Sequence, residues 1–284
     1  MPSTRQHSAH PGTALVTGAS AGIGLQFCHA LARRHYDLVL VARHRENLQA
    51  LATLLQARYD VTCHVVSADL SDPQAVARIH DEVEQRGLHI DFLVNNAAVL
   101  YNGYFHELDG QAQEDLLAVN VVALTALTHR FLQGMVARRH GHILHVASTA
   151  AWVAIPQQNV YAASKAYVLS FSIALADEQR ACRSGVQISA LCPGYTDTRM
   201  LDHPQQGRMM HIPRSLRASA ESIAEAGISA CLEGRVVIIP GRAQQLSMAL
   251  LQAAPRVLAA RLIGACYRHL QKPAQADPVS AKRS

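Results

Sequence analysis

The chain has 284 residues, 49% of them hydrophobic and 17% charged, enough apolar mass for one large buried core and too few charges for a disordered protein. Its 26 Lys and Arg against 21 Asp and Glu leave a net charge of +5, but the basic residues form only short runs such as Arg138-Arg139-His140, which argues against nucleic acid as a partner. The six cysteines are widely spaced and lack a C-x-x-C, and the sixteen histidines include no H-E-x-x-H, so neither a disulfide framework nor a metal site is expected and a cytoplasmic location fits.

Residues 1–11 are polar and contain Pro11, which reads as a flexible leader without the apolar stretch of a signal peptide. Seven apolar runs of strand length follow, at 13–17, 37–42, 61–67, 91–95, 142–148, 186–192 and 236–240, separated by longer segments of helical period. Strands that are apolar on both sides and alternate with helices predict an α/β fold: a Rossmann-like, doubly wound parallel sheet of about seven strands with helices on both faces. No linker divides residues 12–241, which are expected to form one domain. No run of about 18 apolar residues is present, so no membrane span is expected.

The first strand runs into Thr17-Gly-Ala-Ser-Ala-Gly-Ile-Gly24 and then into a helical pattern. Glycines at 18, 22 and 24 allow a tight turn, and the helix behind them aims its unpaired N–H groups at a pyrophosphate. At the end of the second strand stands Ala42-Arg43-His44-Arg45. An acid there would hold a ribose hydroxyl and repel a 2′-phosphate; Arg43 instead suits a phosphate, which favours NADP(H) over NAD(H).

Further along lie Asn120, in an otherwise apolar helical stretch, Ser148 at the end of the fifth run, and Tyr161-Ala-Ala-Ser-Lys165. On a helix, residues four apart share a face, so the Lys165 ammonium is expected beside the Tyr161 phenol. A phenol with a pKa near 10 is a poor base at neutral pH, and a neighbouring cation is expected to lower it.

Together with Asp69, Asn95-Asn96-Ala97 and Pro193-Gly-Tyr-Thr-Asp-Thr198, these motifs resemble the short-chain dehydrogenase/reductase family in order and spacing over residues 12–240. The resemblance implies an oxidoreductase that interconverts a ketone or aldehyde and its alcohol, with a hydrophobic or ketoacyl-type substrate. It implies Tyr161 as acid/base, Lys165 as its tuner and holder of the nicotinamide ribose, Ser148 (with Thr149 as runner-up) as the hydroxyl on the substrate oxygen, and Asn120 as part of a water route from the lysine. The alternative for Asn120 is an amide that satisfies a helix irregularity.

The resemblance also implies cofactor contacts from Gly18, Ser20, Ile23, Gly24, Asp69, Leu70, Asn96, Pro193, Thr196 and Thr198, beside those of Arg43, Tyr161 and Lys165. One departure is Ala98, where the family usually has glycine; altered affinity is expected there. The family places a mobile lid at about 199–220 and pairs subunits through the helices carrying Asn120 and Tyr161, which implies a homodimer or homotetramer. Tyr101, Tyr104, Trp152 and Tyr195 are further candidates for the pocket wall. Residues 242–284 read as a C-terminal helical extension broken at Pro255, packed on the body or, alternatively, touching a membrane surface. A non-catalytic NADP(H)-binding regulator or scaffold is the alternative to an enzyme.

Overall fold

The computed structural model describes residues 11–196, 217–241, 244–246, 248 and 255–270. Seven strands, β1 (Thr13–Thr17), β2 (Asp37–Ala42), β3 (Cys63–Ser67), β4 (Ile90–Asn95), β5 (Gly141–Val146), β6 (Val186–Leu191) and β7 (Val237–Ile238), pair in parallel in the order β3-β2-β1-β4-β5-β6-β7. The Rossmann-like sheet predicted from the apolar runs is therefore present. Four strands fall short of the runs: β3 begins two residues late, where the Thr62 N–H turns to the Asp37 carboxylate at 2.6 Å, β5 and β6 end at Val146 and Leu191, and β7 keeps only Val237–Ile238.

The helices are α1 (Gly22–Ala32), α2 (Arg45–Tyr59), α3 (Ala75–Gln85), α4 (Gly110–Leu117), α5 (Leu124–Arg138), α6 (Asn159–Ala181), α7 (Ala220–Leu232) and α8 (Arg256–Leu270). Alternate side chains of each strand face opposite sides of the sheet. Ala14, Val16, Leu38 and Leu40 accordingly meet Phe27 and Leu31 of α1, Leu48 and Leu55 of α2, and Ile223 and Ile228 of α7. On the other face, Leu15, Val39, Leu93 and Ile143 meet Ile79 of α3, Leu127 and Phe131 of α5, and Leu175 of α6. Each fully buried Leu, Ile or Phe in these layers contributes roughly 1.5–3 kcal/mol of apolar burial.

Between α4 and α5 the helix does not stop but widens into a π turn, Ala118–Ala123. The resulting helix, Gly110–Arg138, is long and apolar enough to cross a membrane by length and composition alone. It lies instead against the sheet, burying Leu124, Leu127, Thr128, Phe131 and Met135.

Strand order reverses between β1 and β4, the neighbours at the centre of the sheet. Such a reversal opens a crevice at the carboxyl ends of the strands, where ligands of open α/β sheets bind. The loops after β1, β2, β3, β4, β5 and β6 all line one cavity at that end, with a volume of about 380 Å³.

Candidate active site

The phosphate end is built by backbone. Gly18 and Gly22 take φ of +65° and +57°, a left-handed conformation that favours glycine. α1 starts at Gly22, three residues earlier than the helical pattern suggests, so its unpaired N–H groups belong to the glycine segment itself. Gly24 allows contact: a Cβ there would lie 2.0 Å from the Gly18 carbonyl oxygen.

The loop is tied across the crevice by Thr17, a residue to which the sequence assigned no role. Its hydroxyl donates to the Val94 carbonyl at 3.3 Å and accepts from the Asn96 and Ala97 N–H groups, each at 3.0 Å. Asn96 returns a bond from Nδ2 to the Thr17 carbonyl at 2.9 Å. Asn96 thus braces β4 against the glycine loop, and it lines the cavity with Gly18, Ser20, Ile23, Ala97 and Ala98.

Arg43, Asp69 and Leu70 line the far end. Arg43 is exposed and its carbonyl accepts from Ser67 Oγ at 2.8 Å, which fastens the β2 exit to β3. Asp69 Oδ1 accepts from the N–H and hydroxyl of Ser71 at 3.0 and 2.8 Å. Gly24 itself stands behind the loop and does not line the cavity.

At the opposite end, Ser148 caps the short 3₁₀ turn Thr149–Trp152, its Oγ accepting from the Ala150 N–H at 3.1 Å. Ser148 and Tyr161 both line the cavity, and the Ser148 hydroxyl stands near enough to the phenol to favour its ionised form. Tyr161 is only partly covered as a residue, but protein crowds its phenol, and this burial pushes the pKa up to about 12 against a smaller lowering by Ser148. Burial therefore outweighs the lowering expected from Lys165. The Lys165 Nζ donates to the Val146 carbonyl at 2.7 Å and stands 5.7 Å from the centre of the Tyr161 ring, and its own burial holds it down at about 8, with Cys192 opposing.

Asn120 sits in the π turn. Its Oδ1 accepts from the Val99 N–H at 2.9 Å, and its Nδ2 donates to the Val99 carbonyl at 3.0 Å and to Ser164 Oγ at 3.1 Å. These protein partners, all outside its own helix, make the side chain a strut between the β4 exit and α6 rather than an amide that satisfies the helix irregularity. Ser164, inside the Tyr161–Lys165 motif, is the unassigned residue that receives it.

Beyond Tyr161 the wall is formed by Leu100, Val99, Ala150, Ile155, Gln158 and Tyr195. Gln158 donates to the Asn102 side chain, and Gln157 beside it adopts φ +69°, an uncommon conformation for a residue with a Cβ. Of the four aromatic candidates, Tyr195 lines the cavity; Tyr101, Tyr104 and Trp152 do not, and Trp152 packs with Leu124, Ala147 and Val168 instead. Thr149, Pro193 and Thr196 also line it, Thr196 Oγ1 donating to the Gly194 carbonyl at 3.1 Å. Thr198 and all of the expected lid before residue 217 lie outside the described residues.

The site thus has a glycine-lined phosphate cradle at one end and a Tyr–Ser–Lys cluster at the other. A family model described as short chain dehydrogenase matches residues 12–208. Hydroxysteroid dehydrogenase-like protein 1 of Gallus gallus is 31% identical over 76% of this chain and 66% of its own length. A very-long-chain 3-oxoacyl-CoA reductase-like protein of Arabidopsis thaliana is 33% identical over 66% of this chain and 61% of its own length, so the chain spans less than two thirds of either relative. Among solved structures, a short-chain dehydrogenase from Sphingobium yanoikuyae in complex with NADPH is 28% identical, with a TM-score of 0.76 over 94% of this chain and 98% of that one. The match over most of the chain, on this sheet and these motifs, makes the protein a member of the short-chain dehydrogenase/reductase family.

Proposed function

We propose that the protein is an NADP(H)-dependent reductase of hydrophobic ketones or aldehydes. The observation that carries this reading is the placement of Tyr161 and Ser148 together at the other end of a continuous cavity from the glycine cradle. The cradle fits a dinucleotide: its close backbone approach excludes a Cβ at residue 24, and the N-terminus of α1 opens on it. Gly18, Ser20, Ile23 and Asn96 would hold the phosphates and adjoining ribose, Asp69 and Leu70 the adenine, and Lys165, Pro193 and Thr196 the nicotinamide end. When bound, the cofactor supplies the hydride.

The protein's own part is to hold the carbonyl oxygen and give it a proton. Ser148 and Tyr161 offer two hydroxyls to that oxygen, and the phenol proton passes to it as negative charge develops. A phenol held at about 12 is protonated through the neutral range, so it is a ready donor and a scarce base. The donor is therefore in place for carbonyl reduction at neutral pH. The apolar wall of Val99, Leu100, Ala150 and Ile155 favours a hydrophobic substrate, in keeping with the names of the two relatives. Following NADPH absorbance across a panel of hydrophobic ketones and aldehydes tests the reading; tight NADPH binding with no turnover of any of them would turn it towards a cofactor-binding regulator.

NADP(H) is assigned on Arg43, the cation at the β2 exit with no acid beside it in the turn. Arg43→Ala is expected to weaken NADPH binding roughly ten- to hundredfold, the worth of a charge-assisted contact, and to leave NADH binding unchanged. Fluorescence titration with both cofactors checks this, and an equal loss for the two would sink the assignment.

The protein is further assigned as a homo-oligomer. Leu117 and Val122 on the long helix and Tyr167 and Ile173 on α6 are exposed apolar residues on neighbouring elements, and Thr125 and Tyr167 hydrogen-bond across them at 3.0 Å. Light scattering is expected to give a dimer or tetramer mass, and Val122→Glu to shift it to the monomer. A monomeric wild type would remove this assignment.

A further inference from the structure

The C-terminal extension meets the site at two places. Gln244 lies against the Pro193-Gly194 turn, where a Cβ built on Gly194 would fall 1.9 Å from Gln244 Nε2. On α8, Ile263 packs into the small apolar cluster of Ala150, Ile155 and Ala162, in company with Val153 and Tyr161. Ile263 is partly buried and Ala259, one turn earlier on α8, is buried, whereas Leu258 and Leu262 are 50% and 62% exposed. Since Ala150, Ile155 and Tyr161 also wall the cavity, Ile263 stands directly behind the surface that a substrate would touch. The family match ends at residue 208, so this backing comes from the part of the chain outside it.

We propose that α8 is the back wall of the substrate end and that Ile263 is a positioning residue, acting through Ala150, Ile155 and Tyr161 to set how bulky an apolar group fits beside the carbonyl. The proposal rests on the reductase reading. Interiors are close-packed, so neighbours collapse only partly when a side chain behind them is shortened. Removing Ile263 carbons lets Ile155 and Ala150 withdraw and widens the cavity; enlarging the side chain drives them inward.

The test uses the full chain with NADPH and two ketones of different bulk, 2-decalone and butan-2-one. Ile263→Ala is expected to raise the ratio of kcat/KM for decalone over butanone about tenfold and Ile263→Phe to lower it by a similar factor, through KM rather than kcat. Leu262→Ala, on the outward side of the same helix, is expected to leave the ratio unchanged. If Ile263→Ala does not fold, Ile263→Val carries the comparison with a smaller shift in the same direction.

Trp152, the only tryptophan in the chain, lies in the turn after Ser148 and provides a readout without turnover. Its fluorescence, titrated with 2-decalone in the presence of NADP⁺, is expected to report tighter binding in Ile263→Ala and weaker binding in Ile263→Phe. A wild type that reduces no carbonyl compound defeats the reductase reading, while the titration still decides the role of Ile263. Ratios and affinities that move alike in the Ile263 and Leu262 variants, or in none of them, overturn the proposal.

Discussion

Tyr161→Phe is expected to lower ketone reduction about 10²- to 10⁴-fold, the usual worth of a positioned acid/base, with NADPH affinity preserved. The substitution removes one oxygen, the one beside Ser148, and leaves the ring that packs with Ala162 and Ile155 in place. Stability should therefore change little while the proton donor is lost. The wild-type pH profile has a definite sign. With the phenol's pKa raised by burial to about 12, the protonated donor persists through neutral pH and reduction does not depend on its titration there. The reverse reaction needs the phenolate and should quicken as pH rises. Single-turnover NADPH oxidation, with cofactor affinity measured separately, checks both statements; equal turnover by the two proteins would reject Tyr161 as the donor.

Gly24→Ala is expected to be at least as damaging, by another route. The new methyl would sit 2.0 Å from the Gly18 carbonyl oxygen and 2.8 Å from its carbon. Both are backbone atoms, so no rotamer change relieves the clash and α1 must move away from the loop. Overpacking of this kind costs about 1–3 kcal/mol or more, and the displaced helix end no longer points its N–H groups into the cradle, so NADPH binding should fall with stability. Gly110→Ala is the control: nothing lies within 4 Å of the position, and it opens a helix, where Ala is favoured by about 0.5–1 kcal/mol. Denaturant unfolding and NADPH titration of the two variants measure the contrast. A Gly24→Ala protein as stable as wild type that binds NADPH normally would show that the close approach is not needed.

Much of this could be read without coordinates because its causes are local. The seven strands declare themselves as apolar runs, since a strand covered on both faces has no polar alternation to hide it. The glycine loop is legible from Gly18, Gly22 and Gly24 because the backbone shape itself demands them. The cluster of Ser148, Tyr161 and Lys165 is legible through spacing, as the i, i+4 relation on α6 and the strand end at Ser148 are short-range facts.

What escaped depends on distance in sequence. Thr17 bridges to residues 94, 96 and 97, and nothing in its neighbourhood marks it apart from many threonines at strand ends. The balance of charge at Tyr161 was not legible, because spacing brings an ammonium near but says nothing of where it points; Lys165 is turned to the Val146 carbonyl. Ile263 could not have been found by periodicity, since its partners lie about a hundred residues away, between the turn after β5 and the start of α6. Even Asn120 was half-legible: a buried amide requires partners, but the identity of Val99 and Ser164 comes from the fold.

The wide turn around Asn120 has a consequence for the whole helix. Each residue added to or removed from an α-helix rotates everything beyond it by about 100°. Residues 118–123 therefore act as a phase adjuster between two gears. The turn itself brings Asn120 to Val99 and Ser164; downstream, the helix is timed to bring Thr128 to Asn95 and His145, at 3.0 and 2.9 Å. A single-residue deletion in this turn would leave each half intact as a helix and mesh only one of them with the sheet. The length of this segment, more than its composition, keeps the site and the core in step.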